Sequence, residues 1–272
     1  MQKTISLTNK YIILATPLIL YSLLSSVYIL ISASGGKVIS LIFALILFFL
    51  MTSAFLSGWC NMIKIALSQP EKEDPNTLLK EFVPGVGEYF LSTSGLLLVT
   101  LMIMSILSII SFFIGINLIG DPGVSSEALA AALQTPTTLK TFVANLDVEQ
   151  LNKINYWNIL IVGTMTFGYF LLFLYLPALF FKNKNPFKAY FISLKDLFSK
   201  KIFKTIGVFV LIFVLNFLIS IFSALFSGNA IMHFILTLLN FYFITAVGVG
   251  IFYYYYNNFD NTKLGQNVDV EV

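Results

Sequence analysis

Residues 205–254 read TIGVFVLIFVLNFLISIFSALFSGNAIMHFILTLLNFYFITAVGVGIFYY, and this stretch decides the fold. It holds two apolar runs, 205–226 and 230–254, separated only by Ser227-Gly228-Asn229 and free of Asp, Glu and Lys. About 20 apolar residues in a helix cross a hydrocarbon core, so each run is long enough to span. Backbone amides left unpaired in lipid are costly, which favours helix for both runs. The short turn makes them an antiparallel hairpin.

Four further runs of the same kind lie upstream, at 11–33, 38–63, 91–119 and 156–181. The whole chain has 272 residues, 58% hydrophobic and 11% charged. A soluble domain carries about 25% charged residues, so this composition excludes an ordinary water-facing surface. The expected fold is all-α and polytopic, a single six-helix transmembrane domain over 1–256 with a polar, disordered tail at 257–272. Lys3 and Lys10 before the first run suggest a signal peptide. That run is longer than the roughly 7–15 residues of a signal core, so it is read as retained.

Lysine placement sets the expected orientation. All 16 basic residues are lysine, which fits an AT-rich bacterial genome. With the N-terminus inside, only Lys37, Lys140 and Lys153 fall outside, leaving 13 inside. The expectation is therefore a multi-pass protein of the cell membrane with both termini cytoplasmic. Tyr156, Trp157 and the run Tyr253 to Tyr256 sit where aromatic rings favour the headgroup layer. The outer loop, 120–155, opens with the turn Asp121-Pro122-Gly123. It then offers helical patterns at 125–134 and 136–146, broken at Thr135-Pro136, and reads as a small cap.

The two inner loops share a plan. Asp74-Pro75 and Asn185-Pro186 each set a capping residue before a proline at the first helical position. After Pro186, Phe187, Tyr190, Phe191, Leu194, Leu197 and Phe198 recur at helical spacing, with Lys188, Lys195 and Ser199 opposite. That pattern predicts a cytoplasmic helix lying in the membrane plane. Leu78, Leu79, Phe82, Val83 and Val86 predict a second one, broken or kinked at Pro84-Gly85. Span, interfacial helix and span thus occur twice, as in a degenerate parallel repeat.

The run Ser57-Gly58-Trp59-Cys60-Asn61-Met62-Ile63-Lys64, the acidic linker and Leu78 to Gly85 together resemble a six-span membrane family of bacteria and archaea whose function is unknown. Tyr175-Leu176-Pro177-Ala178-Leu179, then Asn185-Pro186-Phe187-Lys188-Ala189-Tyr190 and Ser193, is similar to the membrane domain attached to some glycerophosphodiester phosphodiesterases. The resemblance covers about three quarters of the chain and implies a fold. Their catalytic domain has no counterpart here, and no functional residue is carried over.

Searches for chemistry exclude more than they find. The single histidine, His233, and the absence of aspartate from the spans rule out the usual intramembrane protease sites. Glu71, Glu73 and Asp74 read as a solvated linker, and Cys60 as a buried thiol. Gly85-Val86-Gly87 and Gly248-Val249-Gly250 lack the strand-to-helix context of a phosphate loop. No cofactor, metal or nucleic acid is expected. Ala246 and Gly250 form a small-xxx-small pair suited to close helix approach. Asn216 and Asn240 lie equally far from Gly228, so they are expected at equal depth as an interhelical polar pair, with a midplane substrate site as the alternative. Lys182, Lys184, Lys188, Lys195, Lys200, Lys201 and Lys204 are the candidate contacts for anionic lipid or an acidic partner. The function expected is non-catalytic organisation of lipid, a homo-oligomer or a membrane-protein complex. The alternative is a transporter or permease subunit for a neutral or lipidic substrate, suggested by Pro17 and Pro177.

Overall fold

The computed structural model describes residues 2–33, 38–68, 75–132, 134–226 and 228–259, which are helical almost throughout and contain no strand. Helix α1 spans Gln2–Lys10, α2 Ala15–Ala33, α3 Val38–Ser68 and α4 Phe82–Leu118. Next come α5 (Ser126–Ala132), α6 (Pro136–Ala144), α7 (Val148–Leu172) and α8 (Tyr175–Phe181). The last three are α9 (Pro186–Leu197), α10 (Ile202–Leu225) and α11 (Ala230–Phe259). Six helical segments are long and apolar enough to cross a membrane. This is an all-α, multi-pass membrane protein.

Proline explains where the helices restart. Pro17, Pro84 and Pro177 each occupy the third position of a helix (α2, α4 and α8), where the missing N–H would have had no intrahelical partner. The interruption lies upstream of each proline. A 3₁₀ turn at Ile12–Leu14 precedes α2, a longer one at Pro75–Glu81 precedes α4, and a turn at Phe173 and Leu174 precedes α8. Three expectations change accordingly. The helix does not break at Pro84-Gly85, and the first inner loop carries a 3₁₀ helix in place of an amphipathic α-helix. The predicted span 156–181 is split in two at Phe173 and Leu174. The expected acidic cluster Glu71, Glu73 and Asp74 lies outside the described residues.

Several boundaries also move. Helix α4 starts at Phe82, ahead of the expected 91, and α11 runs to Phe259, into the expected tail. The remainder of that tail lies outside the described residues. Helix α7 starts at Val148, well before 156, because Asp147 and Gln150 cap each other. Asp147 Oδ1 accepts from the Gln150 amide at 2.7 Å, and Gln150 Oε1 from the Asp147 amide at 3.3 Å. The outer loop is correspondingly shorter than 120–155.

By contacts the chain forms two compact units, 1–99 with 172–272 and, separately, 100–171. In the first unit the core gathers at the lysine-rich ends of the helices. Tyr11, Cys60, Met62, Tyr89, Tyr175 and Tyr255 are all buried there. Trp59 stacks on Phe55 and donates its indole N–H to the Leu14 carbonyl at 2.8 Å. Pro17 has no N–H to offer that carbonyl from three residues on. Away from this core, Leu20, Leu23 and Leu24 of α2, Leu41 and Phe43 of α3, and most of α10 are exposed. Lipid tails are as apolar as these side chains, so such faces suit hydrocarbon.

The second unit joins the later part of α4 to α7. Thr164 donates to Ser111 at 3.0 Å, and Trp157 lies directly on Gly115 while donating to the Gly120 carbonyl at 3.0 Å. Gly120 ends α4 at φ +80°, a conformation open mainly to glycine. The expected turn is present, with Gly123 N–H on Asp121 Oδ1 at 2.8 Å. The expected break at Thr135-Pro136 is a capping box, Thr135 and Thr138 exchanging side-chain to backbone bonds at 3.1 Å.

Of the expected small-residue pair Ala246 and Gly250, only Gly250 is seen at a helix contact, and the closest approach on α11 is on another face, at Gly248. Gly248 takes the Trp59 ring, and Gly250 faces Thr4 of α1. A Cβ at Gly248 would lie 2.6 Å from Trp59 Cη2, whereas one at Gly207 would meet nothing within 4 Å. Gly248→Leu should therefore destabilise the protein by about 1–3 kcal/mol through overpacking. Thermal denaturation in detergent should show a lowered midpoint for Gly248→Leu and none for Gly207→Ala.

Candidate functional site

Helix α9 is built and docked by its first residues. The Asn185 side chain accepts from the Lys188 amide at 3.1 Å, and Pro186 fills the first helical position. The Pro186 ring lies against Gly95 of α4, where a Cβ would come within 2.6 Å of its Cγ. Tyr175 of α8 donates its hydroxyl to the Pro186 carbonyl at 3.0 Å, and its ring meets Tyr190 edge-on at 5.5 Å. At the far end, Tyr255 of α11 donates to Asp196 Oδ2 at 2.6 Å.

This docking divides the face that spacing alone had joined. The buried stripe of α9 is Ala189, Ser193 and Leu197, four residues apart. Small side chains here let the helix approach closely. Phe187, Phe191 and Phe198, expected on the same face as Leu197, are instead 56%, 68% and 57% exposed. Lys188 and Lys195 are exposed beside them. Helix α9 therefore presents aromatics and lysines outward while its small residues hold it to the unit.

The seven candidate lysines fall into separate settings. Lys184 pairs with Glu88 of α4 at 2.8 Å, and its Nζ stands 5.1 Å from the centre of the Tyr89 ring. Lys64 of α3 meets the same ring at 5.2 Å and donates to the Tyr89 hydroxyl at 2.6 Å. Lys201 donates to the Asn258 carbonyl and Lys204 to Asn258 Oδ1 at 3.1 Å, placing two cations at the C-terminal end of α11. Lys182, Lys200 and Lys201 line a cavity of about 320 Å³ with Asp196, Ser199 and Asn258. Lys188 and Lys195 stay on the outer face of α9.

Asn216 and Asn240 are not brought together as a polar pair. Both are exposed, and no side-chain hydrogen bond joins them among the described residues. Equal distance from the turn fixes depth, but the direction of a side chain around its helix turns by about 100° per residue. The polar glue is elsewhere. Ser57 meets the Thr93 hydroxyl across α3 and α4, Thr93 reaches the Ser53 carbonyl at 3.1 Å, and Asn61 donates to the Glu81 carbonyl at 3.1 Å. At the base of the α10–α11 hairpin, the Thr205 and Tyr254 hydroxyls lie 2.7 Å apart. Glu88, Tyr89 and Lys64 were missed by the sequence reading. A carboxylate one turn before an apolar span, followed by tyrosine, was the available signal. His233 is exposed and Cys60 fully buried.

Comparison with protein-family models, with curated proteins and with solved structures finds no match for this chain. The arrangement itself is a basic, aromatic-bearing surface on a helix pinned at both ends. Removing the pin at Asp196 tests its rigidity. Tyr255→Phe leaves the ring and deletes the donor, and should cost about 1–2 kcal/mol. Unfolding in mixed detergent and SDS should show the loss with helicity unchanged.

Proposed function

We propose that this chain is a non-catalytic protein of the bacterial cell membrane that organises anionic lipid around its lysine-rich end. That end faces the cytoplasm in this reading, with both termini on the same side. The excess of inside lysines supports the orientation. The observation that carries the function is the outward face of α9, where Phe187, Phe191 and Phe198 stand exposed beside Lys188 and Lys195. Aromatics entering the acyl boundary and lysines at the headgroups form the usual pair of forces for a helix lying in a membrane surface.

A transporter for a neutral or lipidic substrate is the second reading. It draws on the helix interruptions at Ile12–Leu14 and at Phe173 and Leu174, since discontinuous helices are common in carriers. The two readings part experimentally. Each lysine near an anionic surface contributes about 1 kcal/mol, so Lys188→Gln/Lys195→Gln should lower enrichment of anionic lipid by roughly thirty-fold. Lipid co-isolated from nanodiscs of mixed charge measures this. Unchanged enrichment, together with flux of a lipidic substrate across liposomes containing the protein, would replace lipid organisation with transport.

A further inference from the structure

The seven lysines are not one diffuse patch, and the cavity of about 320 Å³ at the start of α10 differs in kind from the outer face of α9. Its walls come from the end of α8, the end of α9, the start of α10 and the last turn of α11. Lys182, Lys200, Lys201 and Asp196 all line it, a net charge of +2 among the described lining residues. The side-chain ammonium groups of Lys182 and Lys200 have no hydrogen-bond or ion-pair partner among the described residues. Lys201 spends one donor on the Asn258 carbonyl and has others left. Ser199 Oγ accepts from the Lys201 amide at 3.3 Å, so its own proton remains available to a ligand.

The polar groups beside the lysines are partly engaged within the protein. Asp196 Oδ2 holds the Tyr255 hydroxyl, Asn258 Nδ2 donates to the Tyr254 carbonyl at 2.7 Å, and Asn258 Oδ1 accepts from Lys204. Asp196 keeps its charge and its second oxygen, so what lines the space is an excess of cationic donors, three ammonium groups against one carboxylate. Three cationic side chains lining one cavity against a single carboxylate suit a compact multiply charged oxyanion.

We infer that this cavity binds the phosphomonoester headgroup of an anionic phospholipid. This rests on the proposed lipid-organising role and names the lipid class. A phosphomonoester with second pKa near 6 is close to dianionic at neutral pH, and so matches the net charge. A phosphodiester carries one charge and fewer terminal oxygens. The lipid source, as against free phosphate, follows from Phe198 and Phe203. They bracket the Ser199 to Lys201 segment and are 57% and 85% exposed. Such aromatics give acyl chains a surface beside the headgroup site.

The test uses the full chain in nanodiscs of phosphatidylcholine containing equal fractions of phosphatidic acid and phosphatidylglycerol, with retained lipid counted by native mass spectrometry. The wild type should hold one phosphatidic acid per chain, about ten-fold in preference to phosphatidylglycerol. Lys182→Gln/Lys200→Gln, and Lys200→Gln alone to a smaller degree, should bring the two lipids towards parity. Lys188→Gln/Lys195→Gln should keep the preference while lowering total anionic lipid. Millimolar inorganic phosphate should leave the bound lipid in place. Equal retention of the two anionic lipids, both above phosphatidylcholine, overturns the cavity assignment and leaves the broader role standing. Enrichment of neither overturns both. Displacement by inorganic phosphate overturns the lipid and makes a free phosphate the ligand.

Discussion

Tyr175 donates its hydroxyl to the Pro186 carbonyl while the Pro186 ring lies on Gly95, and the lysine-rich end of the first unit depends on that joint. Three helices meet there. The α8 hydroxyl, the bare α4 backbone and the first residue of α9 each exclude alternatives for the others. With its start fixed, α9 turns Ala189, Ser193 and Leu197 inward and has no choice but to turn Phe187 and Phe191 outward. Tyr255 then closes the far end on Asp196, so a helix of 12 residues is held at both termini.

A membrane chain needs such joints because burial of apolar surface gains little when the alternative is lipid. The distribution of contacts follows that rule. Close approach through glycine recurs where Pro186 meets Gly95 and Trp59 meets Gly248. Hydroxyl and amide bonds cross between helices at Ser57 and Thr93, at Asn61 and Glu81, and at Thr205 and Tyr254. Tyr89, Tyr175, Tyr254 and Tyr255 serve both needs, each offering a large buried ring and a hydroxyl bonded to a partner on another element or turn. Cations gather around them, as Lys64 and Lys184 do around Tyr89.

The spans were legible because long uncharged apolar runs have few readings. The hairpin 205–254, the break at Thr135-Pro136 and the helix opening at Asn185-Pro186 all occur where local residues alone determine them. Errors arose where local pattern met tertiary direction. Pro84 was read as a break, although a proline disturbs the bond to the residue four before it, so the interruption lies upstream. Helix α1 is hard to see in the sequence because the residues it turns inward, Thr4 and Thr8, do not look apolar. The Asp147 to Gln150 capping box was present in the sequence and would have started α7 correctly. Asn216 and Asn240 were paired by depth alone. The lysines were visible as charge, but their sorting onto Glu88, Asn258 and the cavity requires α4 and α11 to be in place.

The functional account turns on where α9 lies. If it rests in the membrane surface, Phe191 enters the acyl region and Lys195, one turn later, stays among headgroups. A fluorescent thiol probe placed through Phe191→Cys or Lys195→Cys reads this directly, with Cys60 buried and out of the label's reach. The measurement is quenching of each probe by phospholipids brominated along their acyl chains, in bilayers containing anionic lipid. With α9 in the membrane surface, quenching is strong at position 191 and weak at position 195. Equally weak quenching at both positions would put α9 in water and contradict that placement.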